Sequence, residues 1–195
     1  MKKLIKRIEK INKGYLSYFD ILKLSDMKEG SLRVKLSRMV KNEEIQKIGN
    51  GLYSVDTSKI EYGQLACEIY PSSYLSLEYV LAINGILSQQ PSNLTLVTLN
   101  RAKKIDIGGL VIIYQHINKI LWWGYELKDG VLIAKPEKAL IDLVYLSLNG
   151  YAYLDWEELN LNLLDIKILQ KYLNKLKKVN KKVGEKIEKV ILDKF

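Results

Sequence analysis

Polar and basic residues on one side of a predicted helix are the part of this sequence best suited to contact a partner. From Gly30 to Asn42, apolar residues recur at i, i+4, i+7 and i+8, which places them on one helical face. The opposite face carries hydroxyl, guanidinium and ammonium groups, which are donors for the base edges and phosphates of nucleic acid. The residues that we predict to contact DNA, in this helix and the hairpin after it, are Ser31, Val34, Lys35, Ser37, Arg38, Lys41, Lys47 and Asn50.

These side chains suit two kinds of DNA contact. Arg38 matches the two acceptors of a guanine, Val34 matches the methyl group of a thymine, and the serine hydroxyls on the same face accept or donate. The ammonium groups of Lys35, Lys41 and Lys47 are better placed for phosphates, which fix the position of a protein on the duplex. The sequence therefore predicts both base-edge and backbone contacts.

Two further helices are predicted before this one. Residues 2–11 carry an apolar stripe at helical spacing, and residues 18–24 form a short helix with Ser17 as its N-cap. The candidates for the inward face of the short helix are Phe19, Ile21 and Leu22.

A tight hairpin is predicted directly after the basic helix. Residues 45–48 and 52–55 flank Gly49-Asn50-Gly51, a turn whose residues tolerate positive φ. Three helices followed by such a hairpin predict a winged helix-turn-helix DNA-binding domain over residues 1–56. A helical hairpin and β-ribbon used only for packing is the alternative interpretation.

The remaining chemically active residues are sparse. Glu78, Asp106, Glu137, Lys138 and Asp142 are the groups that a metal-dependent nuclease would use. However, Pro136-Glu137-Lys138 fits the start of a helix, and Lys138 and Asp142 have i, i+4 spacing, so a cap or a surface ion pair accounts for these residues. We therefore predict no enzyme activity, no catalytic residue and no metal or other cofactor.

A single histidine and a single cysteine limit other chemistries. His116 and Cys67 leave little for Ser-His or Cys-His catalysis, and they exclude an internal disulfide and a cysteine-based zinc site. A strand histidine and a buried thiol are the expected structural roles.

Charge is distributed unevenly along the 195 residues, which carry a net charge of +9. Residues 1–50 contain 13 Lys and Arg against 6 Asp and Glu, and residues 167–195 contain 10 against 3. Residues 51–166 contain 8 against 13, so two basic ends flank an acidic middle. Lys and Arg dominate affinity for nucleic acid, which places polyanion contacts at the ends. For the C-terminal lysines, a solvated helix face is the simpler explanation.

The composition also bears on location. Hydrophobic residues make up 48% of the chain, which supports a sizeable core. No apolar run approaches the roughly 18 residues that a membrane helix needs, and charges interrupt the N-terminal apolar stretch. We expect a cytoplasmic protein with no membrane partner.

The second half predicts a mixed α/β domain over residues 70–195, joined by a structured connection over residues 57–69. We predict a helix over residues 74–83, strands over residues 94–99 and 110–117, and a basic turn region at residues 101–104. A hairpin is predicted from residues 121–127 and 131–134, with Trp122 and Trp123 on opposite faces of its first strand. These strands predict a small antiparallel or mixed sheet.

The C-terminal part is predicted to be helical. Pro136 opens a largely buried helix, because its missing N–H costs nothing in the first turn. Residues 155–159 are predicted as a short capped helix, and residues 164–178 and 183–192 as amphipathic helices. The predicted fold class is therefore α+β, with a winged helix-turn-helix, a small sheet and a helical C-terminus.

Three stretches together resemble the AbiEi family. They are GLYSV from Gly51 to Val55, YPSSYLSLEYVL from Tyr70 to Leu81, and AKPEKALIDL from Ala134 to Leu143. Members of this family are antitoxins and transcriptional repressors of abortive-infection toxin-antitoxin pairs, which act in phage defence. The resemblance covers nearly the whole chain and is thinnest over the last 40 residues.

The resemblance implies a two-domain protein. Its winged helix, carried over to residues 30–42 and 45–55, would bind inverted repeats in its own promoter, which allow cooperative or dimeric binding on double-stranded operator DNA. Its C-terminal domain would neutralise a nucleotidyltransferase-like toxin in the manner of a type IV antitoxin, without a stable complex being required. No catalytic residue is implied.

The sequence also allows a different function for the C-terminal domain. A stand-alone winged-helix repressor could use its C-terminal domain to bind an effector or to dimerise. Trp122, Trp123 and Tyr125 would be candidates to line the pocket or interface.

Overall fold

Helices and two β-sheets are interspersed along the chain, which confirms the predicted α+β class. The structure is a computed structural model that describes residues 5–7, 11, 14–49, 51–89 and 91–195. The chain divides into two compact units. The first comprises Met1–Leu65 with Asp106–Gly109, and the second comprises Ala66–Ile105 with Leu110–Phe195.

The first unit packs helices against a three-stranded sheet. The predicted N-terminal helix falls largely outside the described residues, of which residues 5–7 are helical. The elements that follow are β1 (Leu16–Ser17), α1 (Tyr18–Leu24), α2 (Glu29–Lys41), β2 (Gln46–Gly49), β3 (Leu52–Ser54) and a 3₁₀ helix (Thr57–Lys59). The sheet order is β1-β3-β2, with both neighbouring pairs antiparallel. The sequence-predicted hairpin is therefore confirmed, and it gains a third strand from the chain before α1.

Helix α1 begins where the sequence predicts. The Ser17 hydroxyl accepts a hydrogen bond from the Asp20 N–H, and the Asp20 carboxylate accepts one from the Ser17 N–H, which completes a capping box. Ile21 is fully buried, but Phe19 is 66% exposed, so its predicted inward position is wrong. Two residues correspond to about 200° around a helix, so Phe19 lies opposite Ile21.

Helix α2 ends in a left-handed residue. Glu43 has φ 57°, its N–H donates to the Val40 carbonyl, and the Glu44 N–H donates to the Met39 carbonyl. This pair of bonds is a Schellman motif, which satisfies carbonyls at the helix end and turns the chain sharply into β2.

The second unit is built on a six-stranded mixed sheet. Its elements are α3 (Tyr62–Ile69, which begins before the unit boundary), β4 (Ser73–Leu75), α4 (Leu77–Ile83), β5 (Leu94–Thr98), β6 (Lys103–Ile107), β7 (Leu110–His116), a 3₁₀ helix (Lys119–Leu121), β8 (Tyr125–Lys128), β9 (Val131–Ala134), α5 (Pro136–Leu148), a 3₁₀ helix (Leu161–Leu163), α6 (Ile166–Val179) and α7 (Lys181–Leu192). The strand order is β6-β7-β5-β4-β9-β8. The two central pairings differ in direction, because β4 is antiparallel to β5 and parallel to β9.

Two sequence predictions in this unit are wrong because strand pairing overrides local pattern. Residues 74–83 were predicted as one helix, but Ser73–Leu75 is a strand in the middle of the sheet and the helix begins only at Leu77. Residues 101–104 were predicted as a turn, yet Lys103–Ile107 is a strand at the sheet edge. An edge strand tolerates exposed lysines, so its sequence lacks the apolar alternation of a core strand.

Two further local predictions are wrong. Trp122 and Trp123 do not belong to a strand, because a 3₁₀ helix ends at Leu121 and β8 begins at Tyr125. Residues 155–159 do not form the predicted helix, because residues 156–158 form a bend and turn and Leu159 forms an antiparallel bridge with Leu87. Other predictions are confirmed. The structured connection over residues 57–69 consists of a 3₁₀ helix and α3. The C-terminal helices α6 and α7 lie within about two residues of their predicted bounds.

Helix α5 lies at the centre of the helical layer. It packs against α4, α6 and α7, and its core side chains Ala139, Leu140 and Ile141 are fully buried. Helices α6 and α7 pack closely where Gly184 meets Lys177, since a Cβ at residue 184 would lie 2.7 Å from the Lys177 Cα. The helices of the second unit thus pack around α5.

Candidate nucleic-acid interface

The apolar face of α2 anchors the helix in the first unit. Leu32, Leu36 and Met39 are each at most 1% exposed and form one cluster with Ile21 and Ile45. These residues have the helical spacing that the sequence predicts, so the orientation of α2 in its unit follows from hydrophobic burial.

The opposite face of α2 is open to solvent. Ser31, Val34, Ser37, Arg38 and Lys41 are exposed, whereas Lys35 is half-buried at the edge of the apolar face. Val34 is 53% exposed although it is apolar. Five of the six helix residues that the sequence predicts to contact DNA therefore lie on the open face, and Lys35 lies at its boundary.

The hairpin carries the remaining predicted residues. Lys47 is exposed on β2, next to exposed Gln46, while Asn50 lies outside the described residues. The register of β2 on β3 shifts between Lys47 and Gly49, so the ladder is irregular beside the turn. The Tyr18 N–H donates to the Gly51 carbonyl at 2.7 Å, which holds the turn beside α1.

The open face can donate several hydrogen bonds to a partner. Within the described part of the chain, neither Arg38 nor Lys41 has an ion-pair partner, so both cations are available for an external acceptor. Helix α2 has 13 residues, a length of about 20 Å, and an α-helix fits the major groove of B-DNA. The arrangement can thus place a guanidinium, an ammonium and an apolar side chain against a groove.

Sequence reasoning missed Arg33. Its guanidinium carbon lies 5.5 Å from the centre of the Tyr18 ring, and the Tyr18 hydroxyl donates to the Glu29 carbonyl at 3.0 Å. This cation–π contact links α1 to α2 and holds a further cation near the start of α2. Tyr18 is 15 residues away in sequence, so no local pattern could indicate the contact.

The second unit contains a buried polar cluster, which we call the Lys138 network. Lys138 and Asp142 are fully buried, and the Lys138 Nζ donates to the Asp142 Oδ1 and to the Tyr74 hydroxyl. The Tyr74 and Ser76 hydroxyls each donate to the Asp142 Oδ2 at 2.9 Å. The predicted surface ion pair is therefore wrong, because β4 and the segment after the second 3₁₀ helix cover this face of α5.

Burial governs the electrostatics of the Lys138 network. It raises the pKa of Asp142 and lowers the pKa of Lys138, and the attraction between the two groups opposes both shifts. Burial, with the Asp142 carboxylate next in effect, raises the pKa of the Tyr74 hydroxyl well above its ordinary value. The tyrosine thus remains a neutral donor to Asp142.

Aromatic rings cover this network. Tyr74 stacks on Tyr125 at 4.5 Å, and Trp122 lies within 5.2 Å of both rings. Trp123 contacts Tyr172, and its ring lies 5.2 Å from the Lys138 Nζ. The rings proposed to line a pocket or interface therefore pack largely on one another and on Lys138.

The other carboxylates considered for metal binding have separate partners. Glu137 is 4% exposed and accepts a hydrogen bond from the Asp165 N–H, and Asp106 accepts one from the Gly109 N–H. Among the residues that the structure describes, no three His, Cys, Asp or Glu side chains are grouped so that they could hold a metal ion.

His116 and Cys67 occupy structural positions. The His116 Nδ1 lies 2.9 Å from the Asn100 carbonyl oxygen at the end of β7. Burial raises the pKa of the Cys67 thiol, which disfavours the reactive thiolate.

Helix α6 presents a lysine-rich face. Lys167, Lys171, Lys175 and Lys178 line a shallow surface groove, and Lys177 pairs with Glu188 at 2.7 Å. The Lys175 Nζ lies 4.7 Å from the Trp123 ring centre. The predicted solvated lysine face is therefore present on this helix.

No helix in the described ranges combines the length and the apolar character needed to cross a membrane. No protein-family model matches the sequence, and no curated protein matches it.

Proposed function

We propose that the first unit is a winged helix-turn-helix that binds double-stranded operator DNA. The observation that carries this proposal is the division of α2 into a buried apolar face and an open face with Arg38 and Lys41. Helix α1, a four-residue turn and α2 precede the β2–β3 hairpin, and β1 pairs with β3. This order matches a recognition helix flanked by a wing.

In this arrangement α2 lies in the major groove and the hairpin lies along the backbone. Arg38 and Val34 contact base edges, while Lys41 and Lys47 contact phosphates. The basic balance of residues 1–50 supports this assignment, because phosphate neutralisation supplies most of the affinity of such proteins.

We further propose that the protein is a non-enzymatic antitoxin that represses its own promoter. Two of the three stretches that resemble the AbiEi family lie in the second unit, and the Lys138 network joins them: Tyr74 and Ser76 come from the first of these two motifs, and Lys138 and Asp142 from the second. These hydrogen bonds support the view that the two motifs belong to one folded unit. Neutralisation of a nucleotidyltransferase-like toxin is then the function of the second unit.

A stand-alone repressor is the second candidate, because the second unit also contains a cavity lined by the polar residues Glu78, Asn93, Thr95 and Gln115. A nuclease has less support, since core contacts account for Glu137, Lys138 and Asp142. The protein is thus proposed to act by binding.

Two measurements test the proposal. The full-length chain should protect inverted repeats upstream of its own gene in a footprinting experiment, and protection should be absent from scrambled DNA of equal composition. Coexpression with the neighbouring gene should restore growth if that gene encodes a toxin. Footprints without rescue would favour the stand-alone repressor, and the absence of any sequence-specific footprint would overturn DNA recognition.

A further inference from the structure

A cavity of about 220 Å³ opens on one face of the sheet in the second unit, where β5 and β7 run parallel. Thr95 is the register partner of Ile113, and side chains two residues apart share a sheet face. Thr95 on β5 therefore lines the cavity together with Ile113 and Gln115 on β7, and Asn93, which directly precedes β5, also lines it.

The first two residues of α4 form part of the cavity wall. The Thr95 hydroxyl donates to the Ser76 carbonyl at 2.9 Å and accepts from the Tyr79 N–H at 3.1 Å. These bonds fix the intervening residues, Leu77 and Glu78, against the strand, and both line the cavity.

The backbone at this position is strained. Leu77 has φ 60°, in the left-handed region that a leucine rarely adopts. Its side chain is only 1% exposed. Such outliers persist where the surrounding structure imposes them, and they are concentrated at functional sites. Here the strained residue leads directly into the carboxylate that faces the cavity.

Glu78 is the ionisable group among the described residues that line the cavity. It is half-buried, and no Lys or Arg in the described part of the chain forms an ion pair with it. Burial raises the pKa of this carboxyl, while Thr95 and a backbone N–H oppose the rise. A partly desolvated carboxylate without a cation gains stability from a cationic ligand.

The neighbouring amides favour a ligand with N–H groups. The Gln115 Nε2 donates to the Tyr151 carbonyl at 3.2 Å, and its amide oxygen is an acceptor. Asn93 supplies a second amide, and Leu77 and Ile113 supply apolar walls. The cavity volume of about 220 Å³ limits the ligand to a small molecule.

We propose that this cavity binds a small organic cation, with a guanidinium or primary ammonium group against Glu78 and a short aliphatic body between Leu77 and Ile113. The ligand would be an effector of the second unit. The site belongs to the second unit and shares no residue with the proposed DNA contacts, so the proposal stands whether or not the proposed DNA recognition holds.

Calorimetric titration of the full-length chain tests this site with two probes of equal size, propylguanidinium and neutral propylurea. We expect the cation to bind at least tenfold more tightly than the urea. Glu78→Gln should reduce affinity for the cation at least tenfold, because it keeps the shape of the side chain and removes its charge. Pentylammonium would then distinguish a preference for guanidinium from one for any short alkyl cation, and either preference supports the site.

Glu158→Gln is the matched control, because Glu158 is an exposed acid in the same unit outside the cavity lining. It should leave affinity for propylguanidinium unchanged. Equal binding of both probes, equal losses in the two variants, or no heat of binding at millimolar concentrations would each overturn the proposal. Circular dichroism of each variant establishes that it is folded before titration.

Discussion

The Lys138 ammonium and the Asp142 carboxylate form an ion pair one turn apart on α5, with no exposed surface on either side chain. The Tyr74 and Ser76 hydroxyls complete the hydrogen bonding of the carboxylate. The same i, i+4 spacing recurs in Lys181 and Glu185 on α7, where both side chains are largely exposed. Comparison of the two pairs therefore separates the effect of burial on stability from the effect of the i, i+4 spacing.

Lys138→Met should destabilise the protein by about 3–5 kcal/mol, because it leaves Asp142 as an uncompensated buried charge. Chemical denaturation measures this loss. Lys181→Met, the matched control, should change the unfolding free energy little, since exposed ion pairs contribute weakly. The double variant Lys138→Met/Asp142→Leu should regain part of the loss, and a double variant no more stable than Lys138→Met would contradict this account.

Glu78→Gln should change how stability depends on pH. Burial raises the folded-state pKa of Glu78 above its ordinary value of 4.5, so the folded chain binds more protons than the unfolded chain between those two values. The contribution of Glu78 to stability is therefore full below pH 4.5 and is lost as pH rises through the folded-state pKa.

Urea denaturation from pH 4 to pH 7 tests this sign. The wild-type unfolding free energy should fall relative to that of Glu78→Gln as pH rises, whatever the difference in stability between the two proteins at pH 4. Parallel pH profiles of the two proteins would show that the pKa of Glu78 is not raised by folding.

Two helical glycines should respond in opposite directions to alanine. Gly184→Ala should cost about 1–3 kcal/mol, because its Cβ would lie 2.7 Å from the Lys177 backbone and α6 and α7 would have to separate. Gly30→Ala should gain about 0.5–1 kcal/mol, since nothing lies within 4 Å of a Cβ there and glycine is a poor helix former. Thermal denaturation of both variants measures these shifts, and a destabilised Gly30→Ala would mean that this site is not open.

Arg38→Ala and Lys41→Ala should weaken DNA binding in different ways. On the proposed orientation of α2, Arg38→Ala should cost about 1–3 kcal/mol of operator binding and relax specificity at one base pair. Lys41→Ala should weaken binding to all sequences similarly and flatten the salt dependence by about one unit.

Gel-shift titrations on operator and unrelated DNA at several salt concentrations separate these outcomes. Both residues are exposed on α2, so neither substitution should unfold the protein. Unchanged operator affinity in Arg38→Ala would show that the open face of α2 is not the face that contacts bases.

Much of the first unit could be predicted from short stretches of sequence. The spacing of Leu32, Leu36 and Met39 determines which side of α2 is buried, and Ser17 marks the start of α1. The turn around Gly51 indicates the hairpin, because its φ of 72° suits glycine. These features depend on helical period, capping and turn chemistry, all of which act over a few residues.

The fold of the second unit depends on contacts between residues that are distant in sequence. Tyr74 belongs to a strand because β5 and β9 pair on either side of β4, and its hydroxyl meets Asp142, which is 68 residues away. Lys138 follows a helical pattern typical of a surface pair, yet it is fully buried. Local spacing places two side chains on one helical face, but only the tertiary structure determines whether water or protein covers that face. The sequence by itself thus determined the open face of α2, whereas the buried Lys138 network and the Glu78 cavity depend on how strands and helices assemble.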